Sequence, residues 1–107
     1  MRKTYDGTQY QYRKVRDLPS VRSGFGMGWE QRALLRVEYR TKAEPETVRV
    51  CHVVKTSSHS FGQIHRWYYV SDENGDDMAA RISGSTVGEA AESAEKLRKE
   101  RESASDD

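Results

Sequence analysis

Trp29-Glu30-Gln31-Arg32-Ala33-Leu34-Leu35-Arg36-Val37-Glu38-Tyr39-Arg40-Thr41 reads as one long strand. Trp29, Ala33, Leu35, Val37 and Tyr39 fall on one parity, and Arg32, Arg36, Glu38 and Arg40 on the other. Alternation of apolar and charged side chains with period two marks a strand with one buried face and one wet face. Toward the C-terminus, Ala43-Glu44-Pro45-Glu46 supplies a turn, and residues 47–56 repeat the pattern with Val48, Val50 and Val54. Ser57-Ser58-His59-Ser60 reads as a loop, and residues 61–71 as a third strand carrying Trp67 and Tyr69. Asn74-Gly75 is a hairpin signal, because a two-residue type I′ turn needs positive φ at both positions. Residues 77–83, with Met78, Ala80 and Ile82, make a short closing strand.

A helix follows. Thr86 with Glu89 three residues on forms a capping box, and Val87, Ala90, Ala91, Ala94 and Leu97 then form a stripe at helical spacing over about residues 87–101. The five terminal residues 103–107 read as a frayed tail. Toward the N-terminus, Gly24-Phe25-Gly26-Met27-Gly28 is a permissive joint, and residues 1–28 are a basic arm or edge strand that Leu18-Pro19-Ser20 terminates. The expected fold is α+β. An antiparallel meander of four to five strands carries one C-terminal helix packed on one face, and residues 29–102 form the single domain.

The loops fix registers. A four-residue loop at 43–46 pairs Tyr39 with Val50, a loop at 57–60 pairs Val50 with Trp67 and His52 with His65, and the Asn74-Gly75 turn pairs Tyr69 with Ala80. One face then collects Leu35, Val37, Tyr39, Val48, Val50, Val54, Trp67, Tyr69, Met78, Ala80 and Ile82 as the core. The other collects Arg32, Arg36, Arg40, Arg49, Lys55, Arg66 and Arg81 with Tyr68, and Arg40, Arg49, Tyr68 and Arg81 form one row. Like charges set directly across a sheet destabilise it, so such a row asks for an anionic partner. Arginine presents a planar fork matched to phosphate or carboxylate and stacks on aromatic rings.

Charge segregation points the same way. Among 107 residues the formal net charge is +1, but residues 1–71 hold 13 Lys and Arg against 6 Asp and Glu, and residues 72–107 hold 5 against 11. The acidic helix positions Glu89, Glu92, Glu95, Glu100 and Glu102 read as a solvated face.

Other chemistries find little support. Cys51 and His52 are adjacent on a strand and point to opposite faces, so Cys51, His52, His59 and His65 do not make a four-ligand zinc site. The Ser57–Ser60 loop sets hydroxyls beside His59 but offers no oriented base or oxyanion site. No carboxylate pair shares a strand face, and the Gly24–Gly28 run precedes a strand where a phosphate loop would precede a helix. No enzyme activity, metal or cofactor is expected. The lone Cys51 excludes an intrachain disulfide, and the sequence has no long apolar run and no signal-like N-terminus. A cytoplasmic protein without a membrane partner is the expectation. The sequence leaves its oligomeric state open, a dimer included.

Gly28-Trp29 and Thr86-Val87-Gly88-Glu89-Ala90 loosely resemble pieces of the arm-binding DNA domains of phage integrases, which lay a sheet face in the major groove. The layout is equally similar to that of small phage-encoded inhibitors of bacterial defence, which share no motif. The functional expectation is a non-enzymatic binding module whose Arg-rich sheet face meets an anionic partner, nucleic acid foremost. Arg36, Arg40, Arg49, Arg66 and Arg81 would contact it, Tyr68 would stack, and Arg2, Lys3, Arg13, Lys14 and Arg16 would add attraction from the arm. The alternative is a protein-binding inhibitor or adaptor. It would set the same face on an acidic protein surface or use its acidic helix as a nucleic-acid mimic, as a phage-encoded anti-defence protein acting on a nucleic-acid-handling complex would.

Overall fold

The computed structural model describes residues 2–4, 6–22, 28–60, 62–78 and 83–104. Strands β1 (Arg2–Lys3), β2 (Gln9–Arg22), β3 (Trp29–Arg40), β4 (Arg49–Ser60) and β5 (Gln63–Ser71) precede helix α1 (Val87–Ala104). The strands form one curled antiparallel sheet in the order β1-β2-β3-β4-β5, an α+β meander with a single C-terminal helix. Each strand lies beside its neighbour in sequence, which short antiparallel connections permit.

Half of the N-terminal basic segment, Gln9–Arg22, is thus strand β2, and among the described residues β1 flanks it only at Gln9 and Tyr10, which leaves the rest of it at the sheet edge. β2 runs through Pro19 because the register slips there, between Leu18 and Val21, as it also does between Lys14 and Arg16. A bulge frees Pro from donating to the ladder. Phe25 and Met27 of the Gly-rich joint lie outside the described residues.

The β3–β4 register differs from expectation by one residue. Tyr39 pairs with Arg49, Val37 with Cys51 and Leu35 with Val53. The connection is eight residues long, residues 41–48, and local bonds consume it: Glu44 N–H donates to Thr41 Oγ1 at 3.2 Å and Thr47 N–H to the Glu44 carbonyl at 3.1 Å. A slip of one residue exchanges the faces of a whole strand. Val48 and Val50 are therefore exposed, at 47% and 46%, while Val53 is fully buried.

β4 continues through Ser57–Ser60, where Ser60 pairs with Gln63, so Thr56 pairs with Trp67 and Ser58 with His65. This slides the expected β4–β5 pairing by six residues without exchanging faces, and His52 pairs with Ser71, far from His65. The segment around Asn74-Gly75 is wider than a two-residue hairpin. Asp72 Oδ1 accepts from Asn74 N–H and Asp76 N–H, and Asp72 N–H donates to the Asp76 carbonyl. Beyond it the chain returns along β5 through bridges Ser71–Asp77 and Tyr68–Gly84. Ala80, Arg81 and Ile82 of the expected closing strand lie outside the described residues.

The sheet has two covers, one on each face. On the first face Val87, Ala90 and Ala91 of the helix pack against Tyr10, Leu35, Val37, Tyr39 and Val53, with Cys51 and Tyr68 at the margin. Each fully buried Val or Leu there contributes about 1.5–3 kcal/mol relative to exposure. The helix approaches closely because Gly88 has no side chain: a Cβ would stand 2.8 Å from Thr4 Cγ2 and 2.9 Å from Tyr10 Cε1. Its start is capped by Glu89 N–H donating to Thr86 Oγ1, while Glu89 Oε2 accepts from Ser85 N–H and Oγ–H.

On the reverse face, Leu34, Val54 and Thr56 are buried beside Tyr69 and Trp67, the latter pair opposite to their expected side. The loop at residues 72–77 turns back over this face. Gly75 (φ 91°) lies against Leu18, where a Cβ would meet Leu18 Cδ1 at 2.8 Å, and Arg16 Nη2 donates to the Asn74 carbonyl at 3.3 Å. Arg32 Nη2 donates to Tyr69 Oη at 2.8 Å beneath it.

Candidate functional site

The altered register divides the expected arginine surface between both faces. Arg36 and Arg40 point to the reverse face, whereas Arg49 lies opposite Tyr39 on the helix side. There it bridges to Glu44 at 3.1 Å and to Glu95 at 3.8 Å. Glu95 is 8% exposed and also holds Arg98 at 2.5 Å, so this helix carboxylate is an internal anchor and not a solvated one. The row Arg40–Arg49–Tyr68–Arg81 does not form: Tyr68 lies opposite Lys55, and Arg81 falls outside the described residues.

The arm divides too. By register Arg2 and Lys14 face the helix side, and Lys3, Arg13 and, past the bulge, Arg16 face the reverse side.

What the structure brings together is a different basic surface. The helix occupies only one end of its face, and the strands run well past it. Beyond the helix Lys14, Lys55 and Arg66 share a side with exposed Tyr12 and half-buried Tyr68, and Arg2 stands 5.3 Å from the Tyr12 ring. Tyr12 stacks on Tyr10 with centroids 6.5 Å apart. Burial raises the Tyr68 hydroxyl pKa above its ordinary value, with Tyr12 acting in the same sense and Arg66 and Arg2 opposing, so these groups form one electrostatic neighbourhood. Further along, Arg22 lies 5.6 Å from the Trp29 ring, and Trp29 is 59% exposed. Among the described residues at these positions Asp17 is the one acid, and its pair with Lys14 at 3.2 Å is open to solvent. An exposed pair of this kind is weak and yields to a competing anion.

Tyr12 and Trp29 were not candidates from sequence, and Lys55 was placed on the basic face without an assigned contact. Tyr12 and Lys14 do share a parity in the sequence, but only the β2–β3 pairing tells which side that parity occupies.

The reverse face is arranged differently where the loop leaves it bare. Arg13, Arg36 and His52 lie abreast across β2, β3 and β4, and Glu38 moderates them by binding Arg36 at 2.5 Å and accepting from Gln11 at 2.9 Å. The Arg36 hydrogen bond holds the Glu38 carboxyl below its usual pKa. Desolvation holds His52 below its ordinary value, with Arg36 in the same sense and Glu73 and Asp72 opposing. Burial pushes the Cys51 thiol up to about 12, which leaves it a packing residue and not a nucleophile.

Among the described residues no group of three or more His, Cys, Asp or Glu side chains is arranged to hold a metal ion, and no helix is long and apolar enough to cross a membrane. No protein-family model, curated protein or solved structure matches this chain.

Proposed function

We propose that the protein is a non-enzymatic nucleic-acid-binding module that engages its partner on the stretch of sheet beyond the helix. One observation carries this reading: Tyr12 and Tyr68 sit among Arg2, Lys14, Lys55 and Arg66 on one bare sheet face, with a single weakly held acid between them. Cations supply attraction to phosphates, and aromatic rings offer sequence-tolerant stacking for bases. Of the residues expected from sequence, Arg66, Tyr68, Arg2 and Lys14 belong to this surface. Arg36, Arg40, Lys3, Arg13 and Arg16 belong to the other face, and Arg49 holds the helix.

Fluorescence anisotropy with labelled single- and double-stranded DNA and RNA across a salt series tests the proposal. About four contacts to a single strand give a slope of log affinity against log salt near −3, at roughly −0.7 per phosphate. Charge reversal at Lys55 and Arg66 should abolish binding, while reversal at Arg36 on the opposite face should leave it intact. Absence of binding to every nucleic acid at low salt overturns the reading. An acidic protein surface is the second reading, favoured by exposed Trp29 and Ile64 at the far end of the strip. Weakly salt-dependent binding to an acidic protein, lost on Trp29→Ala, would support it.

A further inference from the structure

Lys3, Gln9 and Arg40 are direct cross-strand partners on β1, β2 and β3, so they stand abreast on the reverse face. Neighbouring strands are about 4.8 Å apart, which sets the backbones of Lys3 and Arg40 roughly 10 Å from each other with Gln9 between. That span lets two long cationic side chains converge on one group above Gln9. They do line a common cavity of about 340 Å³, closed by Lys42, Thr41, Gly7 and Pro45. The Lys42 stem lies along Gly7.

Arg40 is only partly engaged. Its Nη1 donates to the Pro45 carbonyl at a long 3.4 Å, and its Nε is buried without an acceptor. The guanidinium fork carries five N–H donors, and one long bond to Pro45 leaves donors for an acceptor in the cavity. Among the described lining residues Asp6 is the one carboxylate. Its Oδ1 accepts from Thr4 Oγ1 at 2.5 Å and from Thr8 N–H at 2.9 Å. Lys3, Arg40 and Lys42 thus outnumber the acids among the described lining residues. The volume lies at the low end of the range, about 300–1,000 Å³, that small ligands occupy.

We propose that this cavity binds a phosphate-type oxyanion, with the Arg40 guanidinium and Lys3 as its principal donors and Lys42 also lining it. A planar guanidinium fork suits a tetrahedral oxyanion, and the lysines add positive charge. The same chemistry fits free inorganic phosphate and a terminal phosphomonoester. The site is on the face opposite the Lys55–Arg66 strip and does not depend on the nucleic-acid reading.

The test follows the Arg40 Nε–Hε resonance by NMR during titration with inorganic phosphate and, separately, with O-phosphoserine. A saturable downfield shift in either titration supports the site. Saturation by inorganic phosphate alone identifies a free ion, and saturation by both identifies a monoester pocket.

Lys3→Gln is exposed and should fold, and it should weaken affinity about tenfold, the size expected for one charge-assisted hydrogen bond. Arg40→Lys keeps the charge but loses the fork and should weaken it at least as much, read from the Gly7 and Thr41 amides. Arg36→Gln, on the same face outside the cavity, should change nothing. A shift that never saturates, or one unchanged in both Lys3→Gln and Arg40→Lys, means diffuse attraction and overturns the proposal.

Discussion

Asp6 shows how much one side chain's surroundings decide. Its carboxylate sits in a tight turn and accepts from the Thr4 hydroxyl and the Thr8 amide. These bonds, the Thr4 hydroxyl foremost, hold its pKa at about 2, against an ordinary 3.8. A folded-state pKa below the unfolded one means the unfolded chain binds the proton more readily. The contribution to stability is therefore full above about pH 4 and is lost as pH falls through about 2. Side-chain carbonyl NMR should show Asp6 titrating near 2. In Thr4→Val, which keeps the methyl that packs on Gly88, the titration should rise toward 3.8 and acid unfolding should begin at higher pH. A titration unchanged in Thr4→Val would assign the shift to the amide alone.

At the same scale, Arg49 marks where the sequence misleads. Its alternation with Val48 and Val50 is as regular as that of Arg36 and Arg40 with their neighbours. Nothing local tells that Glu44 and Glu95 stand ready on the helix side to receive it.

At the scale of elements, the helix was legible to within a few residues because its signals are local. Thr86 caps it, the alanine stripe buries it, and it extends through Ala104. β3 was legible for the same reason, and its odd positions Leu35, Val37 and Tyr39 are core. β4 was not. It carries Val50, Val53 and Val54, so valines occur on both parities, and the turn before it decides which parity faces the helix. That turn depends on bonds among Thr41, Glu44 and Thr47 that the loop's length alone does not reveal.

The two registers make opposite forecasts, which mutation can separate. In the observed register Val53 is fully buried under the helix and Val50 is 46% exposed. Val53→Ala should cost about 2 kcal/mol, from about 0.8 kcal/mol for each carbon lost plus a cavity term. Val50→Ala should stay within about 0.5 kcal/mol, as exposed substitutions do. Urea denaturation of both variants checks this, and a reversed order would restore the register with Val50 inside.

For the molecule as a whole, the basic N-terminal two-thirds became the sheet, and the acidic remainder became the loop and helix that cover it. That division was legible in the charge count. The faces on which the cations lie were not, because both covers are local and diagonal: the helix shields one end of the first face and the 72–77 loop part of the second. The two shields overlap near the middle of β3 and β4, where Leu34, Leu35, Val53 and Val54 are all buried. Beyond that overlap the β2–β3 and β4–β5 tips have neither cover, and Val21, Trp29 and Ile64 are 39%, 59% and 50% exposed.

Opening free energies follow local burial, from near zero at uncovered ends to the global value in a two-sided core. Amide hydrogen exchange should therefore be slowest at Leu34, Leu35, Val53 and Val54 and fastest at Arg22, Glu30 and His65, although all belong to regular strands. The gradient matters for function, since the bare strip spans the transition from protected to labile sheet. A bound nucleic acid would bridge Lys14, Lys55 and Arg66 across the four strands β2 to β5, so it should slow exchange at the tips more than at the centre, which is already protected. Uniform protection along β3 without ligand would mean that the covers do not set the sheet's stability. Slowing confined to the β1–β2 turn on adding nucleic acid would move the contact to the opposite face.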